Sequence, residues 1–501
     1  MAGWAAKHSV VLLLAACACA IKFMASASPS MEDGFESCEN IVQSWADSSS
    51  TFDDEIEAKQ LKSLQDFLFF LHVPRTGGSA LSSCLLMQLY HDKVCPITCD
   101  RQGWDSRKTK CRVQNVHGDY SIVSKLPKKR TSVVTMERHP LDRVISIYEL
   151  STVAAARCLL YPNMTSAMEA AARECSERHN SVCLLDVWPF NHLMSRLAVE
   201  LFARRDARRN QSMISEEIDP YNVNQIAMPL QDFVNDPPVQ ELVHNAITLQ
   251  VAGLTEGSCL QESRAIRRCI RIHPSLGNYV LDVAKKRLDK IFFVGVTEKH
   301  KESMEMFAHS IEAELEALST APQANNAADY NTGKNSSLMD VETEKLILRQ
   351  NVFTPEFRQE FLLGNPKMSN GNQMTVENLM EAYDACALRL QELWTFQEIH
   401  FLKEVHPIKF SKKARKQIQD SVIQQILLFN NLDIELHKHA KAIFKQQQEY
   451  FKEKYSKVVR QKVSGLSNWL SKKVILAAVV LLCILALLLN AQRRPSKLKD
   501  N

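Results

Sequence analysis

Short, unbroken apolar runs punctuate the interior of the chain, and most are followed by stretches with helical spacing. Phe67 to Val73 (FLFFLHV) is almost wholly apolar and stops at Pro74, as a strand buried on both faces of a parallel sheet does. Gly77-Gly78 then opens a helix-like stretch from Ser79 to Tyr90. Ser132 to Met136 (SVVTM) predicts a second buried strand. The helix after it has Pro140 near its first position, where the missing N–H costs nothing. Ile291 to Val296 (IFFVGV) predicts a third strand, followed by a helix through Leu318. Strands alternating with helices predict an α/β fold with a central, mainly parallel sheet flanked by helices. Residues 28–60 are polar and irregular, and residues 319–340 carry no apolar periodicity and read as a loop insertion. From Ser411 to Leu470 the pattern is helical and basic, with Ile418, Val422, Ile426 and Phe429 at helical spacing. There is no internal repeat.

Two further apolar runs mark the ends of the chain. Ser9 to Ile21 follows Lys7 and is 13 residues long, shorter than the ~20 needed to cross a bilayer. Ala25-Ser26-Ala27 comes next. A basic start, an apolar stretch and small residues predict a signal peptide over residues 1–27. The alternative is an uncleaved N-terminal anchor. Val474 to Leu489 is 16 unbroken apolar residues, about 24 Å of helix. Lys472 and Lys473 precede it, and Arg493, Arg494, Lys497 and Lys499 follow. This predicts a transmembrane helix over residues 472–491, short enough to suit a thin early-secretory bilayer. A buried core helix is the alternative. The basic tail, residues 492–501, then faces the cytosol. Its lysines at the third and fifth positions from the end resemble a coat-protein retrieval signal. The expected topology is single-pass type I, with residues 28–65 and a body over 66–450 in the lumen of an early Golgi membrane, joined to the span by a basic stem over 451–471.

Composition agrees with that topology. The chain has 501 residues, 45% hydrophobic and 24% charged, and a formal charge of +4. That charge is too mild to point to a nucleic-acid partner. Of the 14 cysteines, Cys17 and Cys19 lie in the signal and Cys483 in the span, leaving eleven. An oxidising lumen favours disulfides, and the odd number leaves at least one thiol unpaired or shared between chains. Cys95, Cys99 and Cys111 lack a histidine at ligand spacing, so disulfides are expected there rather than a metal. Sequons occur at Asn163, Asn210 and Asn335, all in the expected lumenal body.

Two motifs carry chemistry. In His72-Val-Pro-Arg75-Thr76-Gly77-Gly78-Ser79, a buried strand turns into a helix. The glycines allow close approach to a phosphate, and the helix start offers free N–H groups. The spacing is not that of a Walker A loop. The second motif, Arg138-His-Pro140-Leu-Asp-Arg143-Val-Ile-Ser146-Ile-Tyr, puts an arginine at a strand end and a serine two turns into the next helix, where both can reach one phosphate. Structural ion pairing is the alternative for Arg138 and Arg143.

Taken together, with His117-Gly118-Asp119-Tyr120 between them, Gly295-Val-Thr297-Glu298 after the third strand and Asn431-Leu-Asp433-Ile-Glu435 late in the chain, the motifs resemble those of the heparan sulfate 6-O-sulfotransferase family over roughly residues 66–450. A signal peptide with a C-terminal anchor on such a body resembles the plant-type tyrosylprotein sulfotransferases. The resemblance implies a P-loop-like sulfotransferase fold and the donor 3′-phosphoadenosine-5′-phosphosulfate (PAPS). It implies that Arg75, Thr76, Gly77, Gly78 and Ser79 hold the phosphosulfate, that Arg138 and Ser146 hold the 3′-phosphate, and that His117 is the general base. That family commonly has Lys where this chain has Arg75. With a pKa above 12, Arg is a poor proton donor, so Arg75 is expected to act by electrostatic stabilisation. Asp119 is a candidate to orient His117, and His72 is expected to pack locally. The basic stretch Lys409 to Lys416 either attracts an acidic acceptor or is solvated surface.

The implied acceptor is a tyrosine hydroxyl beside acidic residues in secreted peptides and proteins. Two alternatives stay open: sulfation of an acidic polysaccharide, and a nucleotide-binding homologue that has lost catalysis. The stretch from Cys158 to Pro274 is expected to build the acceptor cleft.

Overall fold

The computed structural model describes residues 34–54, 66–90, 112–127, 130–177, 187–212, 219–312, 375–401 and 412–454, with isolated positions at 64, 95, 185, 481, 482 and 484. The chain divides into two compact units, residues 1–441 and 442–501. Within the second, residues 442–454 are helical, as are Leu481, Leu482 and Ile484, whose side chains are exposed. The signal peptide, the 319–340 insertion, most of the 474–489 span and the tail lie outside the described residues. Among the described residues no single helix is long and apolar enough to cross a membrane.

The first unit is built on a four-stranded sheet in the order β2-β1-β3-β4, with every pairing parallel. The strands are β1 (Phe67–Leu71), β2 (Val113–Val116), β3 (Thr131–Glu137) and β4 (Phe293–Val296). β1 and β3 are central and buried along nearly their whole length, which is why their sequences show no alternation. The three predicted strands are present. β2 was not predicted: its sequence VQNV is short and polar at its middle, as befits a sheet edge.

Among the described residues helices outnumber strands. Between β3 and β4 they include Pro140–Ala156, Phe190–Ser212, Ala246–Val251, Ser263–Ile272 and Gly277–Lys290. Pro140 sits at the start of its helix, as its sequence position predicted. The Phe35–Asp54 helix packs on Ser263–Ile272 and Gly277–Lys290, and a Cys38–Cys269 disulfide fixes it there. After β1 the helical turns Gly78–Leu81, Ser82–Leu86 (a π-turn) and Met87–Tyr90 follow one another. A Cys84–Cys386 disulfide ties the π-turn to the Val376–Phe401 helix. Cys95 is also disulfide-bonded. These bonds meet the expectation of an oxidised body, and Cys158 and Cys259 lie outside any disulfide. Asn163 and Asn210 are exposed, as glycan acceptors must be.

The two closed loops span sequence separations of 231 and 302 residues, so each bond removes considerable chain entropy from the unfolded state. Replacing Cys84 and Cys386 by serine is expected to lower stability by about 2–5 kcal/mol, read as a lower unfolding midpoint in denaturant.

The late motif around Asp433 has a structural job. Asn245 has φ 49, and its side-chain oxygen accepts from the backbone N–H groups of Leu432 (2.9 Å) and Asp433 (3.3 Å). Asp433 in turn accepts from Ile247 N (3.2 Å), Thr248 N (2.8 Å) and Thr248 Oγ1 (2.7 Å). It thereby satisfies the free amides at the start of the Ala246–Val251 helix. Asp433 also faces the buried Arg143 guanidinium, whose charge offsets part of the cost of burying the carboxylate. Asp433→Ala removes the helix cap and leaves a buried cation less compensated. The expected loss is roughly 3–5 kcal/mol, measured by denaturant unfolding.

Candidate active site

β1 ends at Leu71, and the chain turns through His72 to Gly77 before entering the next helix. Two residues in this turn have left-handed backbones: Arg75 at φ 68 and Gly77 at φ 81. That conformation is costly for a residue with a Cβ. At Arg75 the surrounding bonds hold it. Arg138 Nη1 donates to the Arg75 carbonyl (3.0 Å), and Arg143 Nε donates to the Pro74 carbonyl (3.3 Å). Thr76 Oγ1 donates to the Val73 carbonyl (2.8 Å). Thr297 Oγ1 lies 2.6 Å from the Thr76 carbonyl and 2.9 Å from that of Glu137, tying the turn to the end of β3. His300 Nε2 lies 3.2 Å from the Gly77 carbonyl. A carbonyl only accepts, so Nε2 carries the proton and Nδ1 is left to accept from the Tyr383 hydroxyl, 3.3 Å away.

No side chain fits at the two glycines. A Cβ on Gly77 would lie 2.7 Å from His300 Cδ2, and one on Gly78 would lie 2.5 Å from His72 Cδ2 and 2.8 Å from Phe70 Cζ. The turn is therefore bare backbone opening onto a helix start, the geometry that suits a phosphate.

The structure brings the two motifs together. Arg75 Nε donates to Ser146 Oγ at 2.8 Å across 71 residues of sequence. Thr76 is buried, while Ser79 is exposed at the mouth of the turn. Burial depresses the Arg75 guanidinium to about 10; Arg138 nearby pushes the same way, Glu149 opposes it, and Arg415 adds further repulsion. Arg138 is likewise held below its usual range, chiefly by burial, with the carboxylate of Asp142 opposing. Arg143 differs from these two. It is fully buried, bonded to Pro74 and flanked by Asp433 and Glu137. Its Nη1 and Nη2 are buried with no hydrogen-bond partner among the described residues.

His117 follows β2. Its ring stacks on His72 with centroids 3.9 Å apart, and His72 stacks on Phe70 at 4.9 Å. The His72 ring thus fills the space between Gly78 and His117, the local packing expected of it. Burial pushes His117 down to about 4, with a hydrogen bond to the His72 backbone opposing. Its Nδ1 is buried with no hydrogen-bond partner among the described residues. The ring is neutral near pH 7.

Asp119 does not orient His117, contrary to the sequence expectation. One carboxylate oxygen accepts from the backbone N–H and hydroxyl of Ser121, and the other from Thr255 N and Thr255 Oγ1, both at 2.8 Å. Asp119 begins the Tyr120–Lys125 3-10 helix, so its side chain turns forward along the chain and away from the residue two before it. It fixes the loop after His117 to the 255 segment instead.

Several positioning residues escape the sequence reading. Gln250 Nε2 donates to the Gly118 carbonyl (2.6 Å) and lies 3.2 Å from that of His72, holding the backbones beside both histidines. The signal is a glutamine flanked by Leu249 and Val251. Glu298 accepts from His139 N (2.6 Å) at the start of the Pro140–Ala156 helix. Arg415, 266 residues beyond Glu149, forms a forked ion pair with it through Nε (2.7 Å) and Nη2. Among the described residues no group of three or more His, Cys, Asp or Glu is placed to hold a metal ion.

No protein-family profile matches the chain. The protein-tyrosine sulfotransferase of Arabidopsis thaliana is 37% identical over 481 residues, covering 93% of this chain and 94% of that protein. Identity at that level, across essentially the whole length of both chains, shows kinship: the chain belongs to the plant-type protein-tyrosine sulfotransferases and is a transferase.

Proposed function

We propose that the protein transfers a sulfuryl group from PAPS to tyrosine hydroxyls of secreted peptides and proteins, with His117 as the general base. The observation that carries this reading is the contact between Arg75 and Ser146, which joins the phosphosulfate motif to the 3′-phosphate motif. The residues fit the donor. Gly77 and Gly78 are packed against His300, His72 and Phe70 too closely for any Cβ, which keeps the turn bare backbone, and Arg75 bonds Ser146 while Arg138 bonds the Arg75 carbonyl.

PAPS supplies an activated sulfuryl group, and sulfuryl transfer parallels phosphoryl transfer in needing in-line positioning and charge stabilisation. Backbone amides from Thr76 to Ser79 hold the 5′-phosphosulfate, and Arg138 and Ser146 hold the 3′-phosphate. Arg75 stabilises negative charge on the leaving side. A phenol with pKa near 10 must lose its proton as it attacks. His117, neutral and with Nδ1 unpartnered, accepts that proton. Its depressed pKa makes it a weak base in the free protein. The negative charge of bound donor raises it toward neutrality.

The remaining expectations belong to the same reading. The body faces the lumen of an early Golgi membrane behind a cleaved signal peptide and a single C-terminal span, with a tail available to coat proteins. Acceptor tyrosines are flanked by acidic residues. The test offers purified protein and radiolabelled PAPS two acceptors side by side, a peptide with an Asp-Tyr site and a desulfated acidic glycan. Label on the peptide tyrosine supports the reading. Label on the glycan alone moves the activity to a carbohydrate sulfotransferase.

A further inference from the structure

We propose that Arg415 is the third arginine of the donor cradle, held ready by Glu149 and recruited to the 3′-phosphate when the donor binds. The inference rests on the donor reading above. Ser146 and Glu149 lie three residues apart on the Pro140–Ala156 helix, one turn apart and on the same face. Arg75 from the phosphate turn bonds Ser146, and Arg415 forks onto Glu149. Arg138 reaches the same place from the end of β3 through the Arg75 carbonyl. Three guanidiniums from three distant segments therefore meet on one helix face.

The three guanidiniums share their carboxylates unevenly. Arg75 is repelled by Arg138 and Arg415, and Glu149 is its one attractive neighbour. Arg138 faces Asp142, Glu298 and Glu149, with Arg415 repelling it. Arg415 faces Glu149 and Asp142. A phosphate monoester adds roughly −1.5 to −2 charge at pH 7 and three acceptor oxygens, which suits such a cluster. The Arg415 side chain is 33% exposed and that of Glu149 12%, so the guanidinium is shared between Glu149 and an incoming phosphate rather than released, Glu149 holding Nε and Nη2. A guanidinium fork matches a phosphate as well as it matches a carboxylate. The neighbouring Lys416 is exposed, so Arg415 is the described member of the Lys409 to Lys416 stretch that turns inward.

The test is calorimetric binding of adenosine 3′,5′-bisphosphate and of adenosine 5′-monophosphate to the full-length protein. Wild type is compared with Arg415→Ala, Arg415→Lys and the double variant Arg415→Gln/Glu149→Gln, in which the two amides can pair. Arg415→Ala is expected to weaken the bisphosphate by about 10- to 100-fold and leave the monophosphate unchanged, with Arg415→Lys between. The double variant is expected to keep the wild-type unfolding midpoint and show the same loss. Wild-type bisphosphate affinity in Arg415→Ala would overturn the proposal, including the case where only the KM for an acidic peptide rises. So would wild-type affinity in the double variant, because Arg415 would then act only by neutralising Glu149. Failure of the wild-type protein to bind the bisphosphate would overturn the donor reading itself, and the proposal with it.

Discussion

His117→Ala is expected to lower kcat by about 100- to 10,000-fold, the range of a positioned general base, while leaving affinity for adenosine 3′,5′-bisphosphate within a few-fold of wild type. The binding measurement separates loss of the base from loss of the donor site. The pH profile gives a second signature. His117 in the free protein is depressed to about 4 by burial, so kcat/KM, which reports the free protein, should stay level from neutrality down to about pH 5 and fall below it. Bound donor raises the same group, so the acid limb of kcat should lie at higher pH than that of kcat/KM. Stability must be followed in parallel, and its sign is fixed. In the unfolded chain His117 takes up a proton near 6.5, whereas in the folded protein it does so only near 4. The unfolded state binds more protons between those values, so stability falls as pH drops through that window. His72, His244 and His437, also depressed by burial, act in the same direction. A kcat/KM limb that coincides with unfolding, or a His117→Ala protein with near-normal kcat, would remove His117 from the chemistry.

Gly78→Ala is the second large effect. The added methyl would stand 2.5 Å from His72 Cδ2, 2.7 Å from His72 Nε2 and 2.8 Å from Phe70 Cζ. None of these is a flexible chain end: His72 is buried between Phe70 and His117. Either the phosphate turn moves outward or the histidine stack shifts toward His117. A displacement on the order of 1 Å at a reacting centre costs about 100-fold, so kcat/KM should fall by at least about that factor, with weaker bisphosphate binding if the turn is what moves. Gly257→Ala is the matched control, because nothing lies within 4 Å of a Cβ there, and it should behave as wild type. Equal activity in the two variants would mean that the Gly78 backbone is not at the donor.

What could be read from sequence follows from how local each signal is. β1, β3 and β4 announce themselves as apolar runs because both faces of the sheet are covered. The phosphate turn and the Pro140 helix are visible because glycine and proline constrain their own backbones. The direct bond from Arg75 to Ser146 is not legible: the sequence places Ser146 with Arg138, and the contact joins groups 71 residues apart. β2 is hidden because an edge strand of four residues needs little apolar character. The segment from Cys158 to Pro274 is hidden for another reason. Its working residues, Gln250 and Thr255, act by bonds to backbone and carboxylate groups 132 and 136 residues away, and no periodicity encodes a partner at that distance. Asp119 misleads because a carboxylate beside a histidine in sequence is easily taken for its partner, while the local helix start turns it elsewhere. Arg415 sits in a basic run that reads equally as solvated surface, and only the fold brings it onto Glu149.

The most direct measurement is an experimental structure of the protein with adenosine 3′,5′-bisphosphate and a peptide carrying an acidic-flanked tyrosine. The 3′-phosphate is expected on Arg138 and Ser146, the 5′-phosphate on the backbone amides from Thr76 to Ser79, and the tyrosine hydroxyl within hydrogen-bond reach of His117. A nucleotide bound in the reverse sense, or a tyrosine hydroxyl held away from His117 by another base, would contradict the account.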